Sequence, residues 1–369
     1  MKFNYRVKKV ICLILILSSI SLFGCRSKKE EGKIDNDFDM KIAMNIVETY
    51  MNYLIEGNVE NIKTMYSNRL SKQGVENKNN QDLKIKGYTI DETNNVGKSG
   101  IFSVKTVSIN SQNPYTCIEE YRIKVIKENN HYKIDAININ MDKEAFLEKN
   151  KIRYRNKNEI KTELILDSSG IPDFSYSKDD KANVKKIDIP KKHIGTMSFA
   201  YNENLIAIST YDENNVFAAI ITIDESKAVQ GEADEGDQEQ APKEGEENQG
   251  GMNKSKEEPI GKEVLPLDIL KANKIDFMVF SPDEKFIVLQ YENSDKSKNI
   301  RIYKSDSGEI IPIKFEDKYP LDKVNVKFSS FNRDSVNFDV RSKENNNKAV
   351  SKFIGKWQLN LNNFKLKKL

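Results

Sequence analysis

The chain has 369 residues, with 59 Lys and Arg against 56 Asp and Glu, a formal net charge of +3, two histidines and three cysteines. That length suits two domains of ordinary size. With only His131 and His193 available, a His-rich metal site is excluded and a Ser-His-Asp arrangement is hard to build.

The N-terminus opens with Lys2, Arg6, Lys8 and Lys9, and no acidic residue precedes Glu30. An apolar run from Val10 to Leu17 follows, then Ser18, Ser19 and Ser21 break it up. Crossing a bilayer takes about 20 mostly apolar residues. The run is shorter than that, and its basic head, short core and small-residue exit match an export signal. Leu22-Phe23-Gly24-Cys25 then resembles the lipobox of bacterial lipoproteins, with Phe23 bulkier than the family's usual residue at that place. The resemblance implies that a diacylglycerol is attached to Cys25 and that residues 1–24 are removed. Two acyl chains give stable anchoring, at about 0.8 kcal/mol per buried methylene. The expected location is the cell membrane, lipid-anchored and facing outside the cytoplasm. The abundance of lysine, asparagine and isoleucine suits a low-GC, Gram-positive source. Loss of the leader leaves a net charge of about −1, so no nucleic-acid partner is expected. Residues 25–37 read as a polar tether.

Phe38, Ile42, Ala43, Ile46, Val47, Tyr50 and Leu54 then recur at helical spacing, with Gly57 as terminator. Asn58 can cap a second helix carrying Val59, Ile62, Met65, Tyr66 and Leu70. Beyond a polar loop the period becomes that of strands, in "SGIFSVKTVSI", "YTCIEEYRIKVIK" and "HYKIDAINI". Helices first and antiparallel strands after predict an α+β arrangement. The stretches "YMNYLIEGNVENIKTMYSNRL" and "YRIKVIKENNHYKIDAI" resemble the nuclear-transport-factor-two-like and cystatin-like domains. That resemblance implies a cone of helices packed on a curved antiparallel sheet over residues 38–150. It specifies no function, because such cones host enzymes, ligand binders and assembly modules alike. His131 follows the turn "ENN" and is expected at a solvated end, away from any cone interior.

Residues 151–369 contain a repeat. "MSFAYNENLIAISTY" from Met197, "MVFSPDEKFIVLQY" from Met278 and "VKFSSFNRDSVNFDV" from Val326 share a strand-turn-strand grammar, and a third strand follows each. "FSPDEKFIVL" resembles the repeat of TolB-type β-propellers, which implies an all-β, propeller-like domain of stacked units. Residues 158–190 could hold a degenerate earlier blade. An insert at about 225–262 separates the first two units; residues 224–263 hold 13 acidic and 5 basic residues. It cannot bury enough apolar surface to fold, so disorder is expected.

Chemistry is thin in this sequence. Cys12 leaves with the signal and Cys25 is acylated, which leaves Cys117 as a single thiol on a strand face. It is expected to be buried and inert, with no intrachain disulfide. "SYSK" at Ser175 lies in a turn-rich stretch, and "DNDFDM" at Asp35 lacks the glycine and final glutamate of a calcium loop. No catalytic, cofactor-binding or metal residue is assigned. The expected function is non-catalytic protein–protein interaction or assembly at the membrane, the partner being another extracytoplasmic or membrane protein. The alternative is a lipoprotein that senses a small molecule held in the N-terminal cone, and a third, weaker reading is an enzyme using carboxylates and tyrosines of that cone.

Overall fold

The computed structural model describes residues 38–73, 82–110, 112–157, 159–226, 257–272, 274–344 and 348–369. The expected signal peptide, Cys25 with the other residues that resemble a lipobox, and the interior of the acidic insert lie outside the described residues. The chain divides into a leading segment, Met1–Asp39, and one compact unit, Met40–Leu369.

Helix α1 (Met40–Glu56) buries Ala43, Val47, Tyr50 and Met51, one stripe at helical spacing. Ile42, expected on that stripe, is 46% exposed. Gly57 ends the helix at φ +71°, and the Asn58 N–H donates to the Tyr53 carbonyl at 2.9 Å. Asn58 caps α2 (Val59–Thr64) by accepting the Asn61 N–H. The second helix does not run on to Leu70 as the spacing predicts. Ile134 interrupts it: its N–H donates to the Met65 carbonyl, and its carbonyl accepts the Ser67 N–H. A third short helix, α3 (Asn68–Gln73), follows.

Strands β1 (Leu83–Val96), β2 (Ser99–Asn110), β3 (Tyr115–Glu128), β4 (His131–Glu148), β5 (Lys151–Asn156) and β6 (Glu163–Leu166) form one antiparallel sheet in chain order. Asn129 and Asn130, then Lys149 and Asn150, take positive φ at the two tight hairpins. Two-residue hairpin loops demand that conformation so as to match the twist of their strands.

This sheet overturns the α+β cone expected for residues 38–150. Among the described residues 53% are in strands, and α1 is the one helix longer than six residues. A cone's sheet curls round an interior of its own, whereas here both faces are covered from outside. Helix α1 packs over β1 to β4, on the face carrying Gly100 and Phe102, beside Met40. Val107, Ile109, Ile118 and Ala145 belong to the same continuous core as the β-repeat units. The boundary expected at residue 150 falls in the β4–β5 turn, so the sheet crosses it.

After a two-stranded ribbon of β7 (Phe174–Ser175) and β8 (Ile187–Asp188), three sheets follow. The first is β9 (His193–Phe199), β10 (Leu205–Tyr211), β11 (Val216–Ile223) and β12 (Gly261–Leu270). The second is β13 (Lys274–Phe280), β14 (Phe286–Glu292) and β15 (Lys298–Lys304), extended by a single bridge from Tyr303 to Ile310. The third, β16 (Val324–Asn332), β17 (Ser335–Ser342), β18 (Gly355–Asn360) and β19 (Leu366–Lys368), ends the chain. Each is an antiparallel meander in chain order, and their strands fall where the repeat places them. The fold is propeller-like and β-rich. The degenerate blade expected at 158–190 is not a blade, because β6 joins the first sheet and only the short ribbon follows it.

The repeat turn has the same geometry twice. Glu203 and Glu284 both sit at positive φ, and their N–H groups donate to the carbonyls of Ala200 and Ser281. Asp283 accepts from the Ser281 hydroxyl at 2.7 Å, and that hydroxyl accepts the Phe286 N–H. The two turns touch, since the Asn202 N–H donates to Glu284 Oε1 at 2.6 Å.

Strand β1 reaches β13 and β16, while β2 and β3 lie against β9. The first sheet therefore meets the leading strand of every blade. Gly87 marks the tightest point: a Cβ built there would lie 2.2 Å from the Tyr201 hydroxyl and 2.8 Å from Val279. Gly87→Ala should destabilise the protein by about 1–3 kcal/mol through overpacking, read as a lower chemical-denaturation midpoint. Gly87→Ala combined with Tyr201→Phe should recover part of the loss; a Gly87→Ala protein as stable as wild type would show that the contact yields freely.

Candidate functional site

The most constrained polar constellation lies between the first two blades. Arg301 on β15 sits between Ile300 and Ile302 and is only 6% exposed. Its guanidinium donates to Asp268 Oδ2 (2.8 Å), Glu316 Oε1 (2.8 Å) and both oxygens of Asp179 (2.9 and 3.1 Å). Asp268, on β12, is fully buried and also accepts from the Tyr303 hydroxyl and from the N–H groups of Lys178 and Ile269. Four donors therefore satisfy its two oxygens. Glu316, on α4 (Phe315–Lys318), accepts from the Tyr291 hydroxyl at 2.7 Å as well. Lys314 completes the network on Asp179 at 2.7 Å. Burial works against ionising Asp179, but Lys314 and Arg301 outweigh it and lower its pKa. The arrangement holds the last strands of two blades, the loop at 177–180 and α4 at fixed separation.

The acidic insert is pinned where it leaves and returns. Glu225 pairs with Lys143, which is 4% exposed. Glu257 makes a bidentate pair with Arg153 at 2.6 and 2.8 Å. Both cations lie on the first sheet, on β4 and β5. The described flanks of the insert thus contact the chain's own basic groups.

A cleft of about 170 Å³ opens between the end of α1 and the third blade, lined by Asn52, Glu56, Ser330, Asn337, Asp339 and Trp357, among others. Asn52 Oδ1 is buried without a hydrogen-bond partner. Trp357 packs in the last unit, its ring 5.7 Å from that of Tyr319 and its N–H donated to the Phe353 carbonyl.

The residues singled out from the sequence do not come together. Cys117 is buried, and burial with the nearby Glu119 pushes its thiol up to about 12; little thiolate forms near neutrality. His131 lies exposed at the start of β4, and the His193 ring sits 5.2 Å from that of Tyr211. Ser175 is in the short ribbon. Among the described residues no group of three or more His, Cys, Asp or Glu is placed to hold a metal ion. Leu22, Phe23, Gly24 and Cys25 lie outside the described residues. Sequence reasoning missed Arg301 and Asp268, although a charged residue inside an apolar strand, as in "NIRIYK" and "PLDIL", was the available signal.

No family model matches the chain, and no curated protein matches it. Solved structures are similar at low identity. TolB from Acinetobacter baumannii shares 9% identity at a TM-score of 0.23, over 65% of this chain and 57% of that one. A prolyl endopeptidase shares 8% at 0.28, over 87% of this chain and 34% of that one. KlHsv2 with its loop 6CD replaced by a Gly-Ser linker shares 7% at 0.24, over 76% and 98%. The chain thus spans 57% of TolB's length and 34% of the endopeptidase's. The propeller-like description rests on the blades themselves.

Two electrostatic predictions follow from these pairs. Arg301→Leu strands the buried Asp268 charge and should cost about 3–5 kcal/mol in denaturation experiments. Asp179→Asn, at a half-exposed position, should cost about 1 kcal/mol or less; equal losses would contradict the burial argument. Asp135 on β4 is held by Arg69 (2.9 Å), Ser67 (3.0 Å) and Lys124 (3.6 Å), and its pKa is lowered, chiefly by the Arg69 hydrogen bond. Its contribution is present above the unfolded value of about 3.9 and fades as pH falls through the lower folded value. Asp135→Asn should therefore narrow the stability difference between pH 6 and pH 3, and an unchanged acid limb would contradict this.

Proposed function

We propose that the protein is a non-catalytic, lipid-anchored, extracytoplasmic component that mediates protein–protein interaction or assembly at the cell membrane. One observation carries this reading. The space between α1 and the first sheet, where a ligand-binding cone would be hollow, is filled. Tyr50, Met51, Phe102 and Ile123 are each no more than 1% exposed. The Tyr50 and Tyr66 rings stand 6.3 Å apart, and burial raises the pKa of both hydroxyls. A filled interior suits a scaffold rather than a small-molecule site. The resemblance of Leu22–Cys25 to a lipobox supports the same reading.

A second reading, small-molecule binding, is favoured by the unpartnered Asn52 Oδ1 beside the cleft near Trp357. It places a small polar ligand there rather than in a cone.

The test is made in cells with the full-length protein. Wild type should take up metabolic lipid label and, after mild cross-linking of membranes, retain a stoichiometric protein partner. Cys25→Ser should lose the label and be released or left uncut. Equal labelling of the two sinks the anchor. A wild type that retains no protein, yet is stabilised by a small molecule that fails on Asn52→Ala, sinks the assembly reading in favour of the second.

A further inference from the structure

Strand β4 is paired with β3 from His131 to Phe146, but on its other side it is covered only at the ends. Strand β5 pairs with it from Lys143 to Glu148, and the Lys157 N–H donates to the Asp142 carbonyl. At the opposite end, Met65 and Ser67 occupy both backbone groups of Ile134. Between these covers, residues 136–141 have no backbone partner on the outer side among the described residues. At about 3.3 Å per residue the opening is roughly 20 Å long.

Its sequence is "AININM", with no charge in a chain whose residues are 31% charged. Ile139 and Met141 lie 49% and 41% exposed, beside an open groove of about 420 Å³ whose far wall is Arg155, Asn156, Lys157 and Glu159. Exposed sheet edges are ordinarily protected by charges, proline or bulges. The free end of β1 obeys that rule with Asp91 and Glu92. The opening on β4 carries neither charge nor proline, and the irregularities of its pairing with β3 fall at its two ends, at Asp135 and Asp142.

We propose that residues 136–141 of β4 are a docking site for one extended segment of another envelope polypeptide, added to the sheet in line with β5. This rests on the interaction reading above and names its surface. The geometry selects the occupant. A second copy presenting its own β4 would overrun the opening, because β4 is 18 residues long and the covers at Ile134 and Lys143 block both ends. A lone strand of about six residues fits, its backbone pairing with the open edge and alternate apolar side chains lying on Ile139 and Met141. This chain's own tether ("RSKKEEGKIDND") and acidic insert lack that alternation. Asp142 closes the β5 end, and burial chiefly, with Glu203 and Glu120 adding to it and Lys157 and Lys105 opposing, pushes its pKa up. A neutral or basic residue of the incoming strand belongs there.

The test uses the purified full-length protein in detergent and a capped heptapeptide alternating threonine and valine with a terminal lysine. Binding should slow amide hydrogen exchange within residues 136–141 by about tenfold or more. The same peptide with a central proline should have no effect. Ile139→Lys, at an exposed position, should fold normally and lose the protection. Unchanged exchange, equal protection by the proline peptide, or a dimer that Ile139→Lys dissolves would overturn the assignment. In membranes, a partner retained equally by wild type and Ile139→Lys would overturn this edge while leaving the interaction reading intact. A wild type that retains no partner would overturn that reading itself.

Discussion

An antiparallel sheet with strands as long as 18 residues has two faces to cover, and the remaining structure follows from how that is done. The helices of residues 40–73 cover one face. Their buried stripe, from Ala43 to Met51, is narrow and cannot serve both. The opposite face, with Val107, Ile109 and Ile118, is closed by the blades. Because hydrophobic burial is non-directional and scales with area, the two regions are joined by one core rather than linked as independent bodies. Gly87 shows how close the approach is, having no room for a methyl group between Tyr201 and Val279.

Much of the local structure was legible. Gly57 and Asn58 ended and began helices where their chemistry requires, and the asparagines of "ENN" made the predicted tight turn. The three copies of the repeat gave the blade strands, because alternation and the Ser-Pro-Asp-Glu turn are local signals. What failed was partnership. Strand β1 has the sequence character of a polar loop, since its second half, from Asp91 to Val96, is exposed and carries no apolar alternation. The cone was inferred from helices followed by strands, a pattern that does not say what lies on the sheet's second face. The buried faces of β2 and β3 carry that information only once the blades are known to pack on them.

The candidate sites show the same division. The proposed lipid attachment at Cys25 rests on a linear motif and needs no fold. The Arg301–Asp268–Glu316 network joins three elements spread over residues 268–316, so spacing could not reveal it. Replacing a buried ion pair with apolar residues is often neutral or stabilising, so such networks are better read as fixing geometry than as adding stability. Here the fixed quantity is the separation of two blades. The uncharged edge of β4 is legible as "AININM" only after its pairing shows that one side is open.

The central claim is that Met40–Leu369 folds as one unit around a shared core. Scanning calorimetry of the full-length protein tests it most directly. The account predicts a single transition whose calorimetric and van't Hoff enthalpies agree. Two resolved transitions, one of them reproduced by residues 38–150 alone, would contradict it.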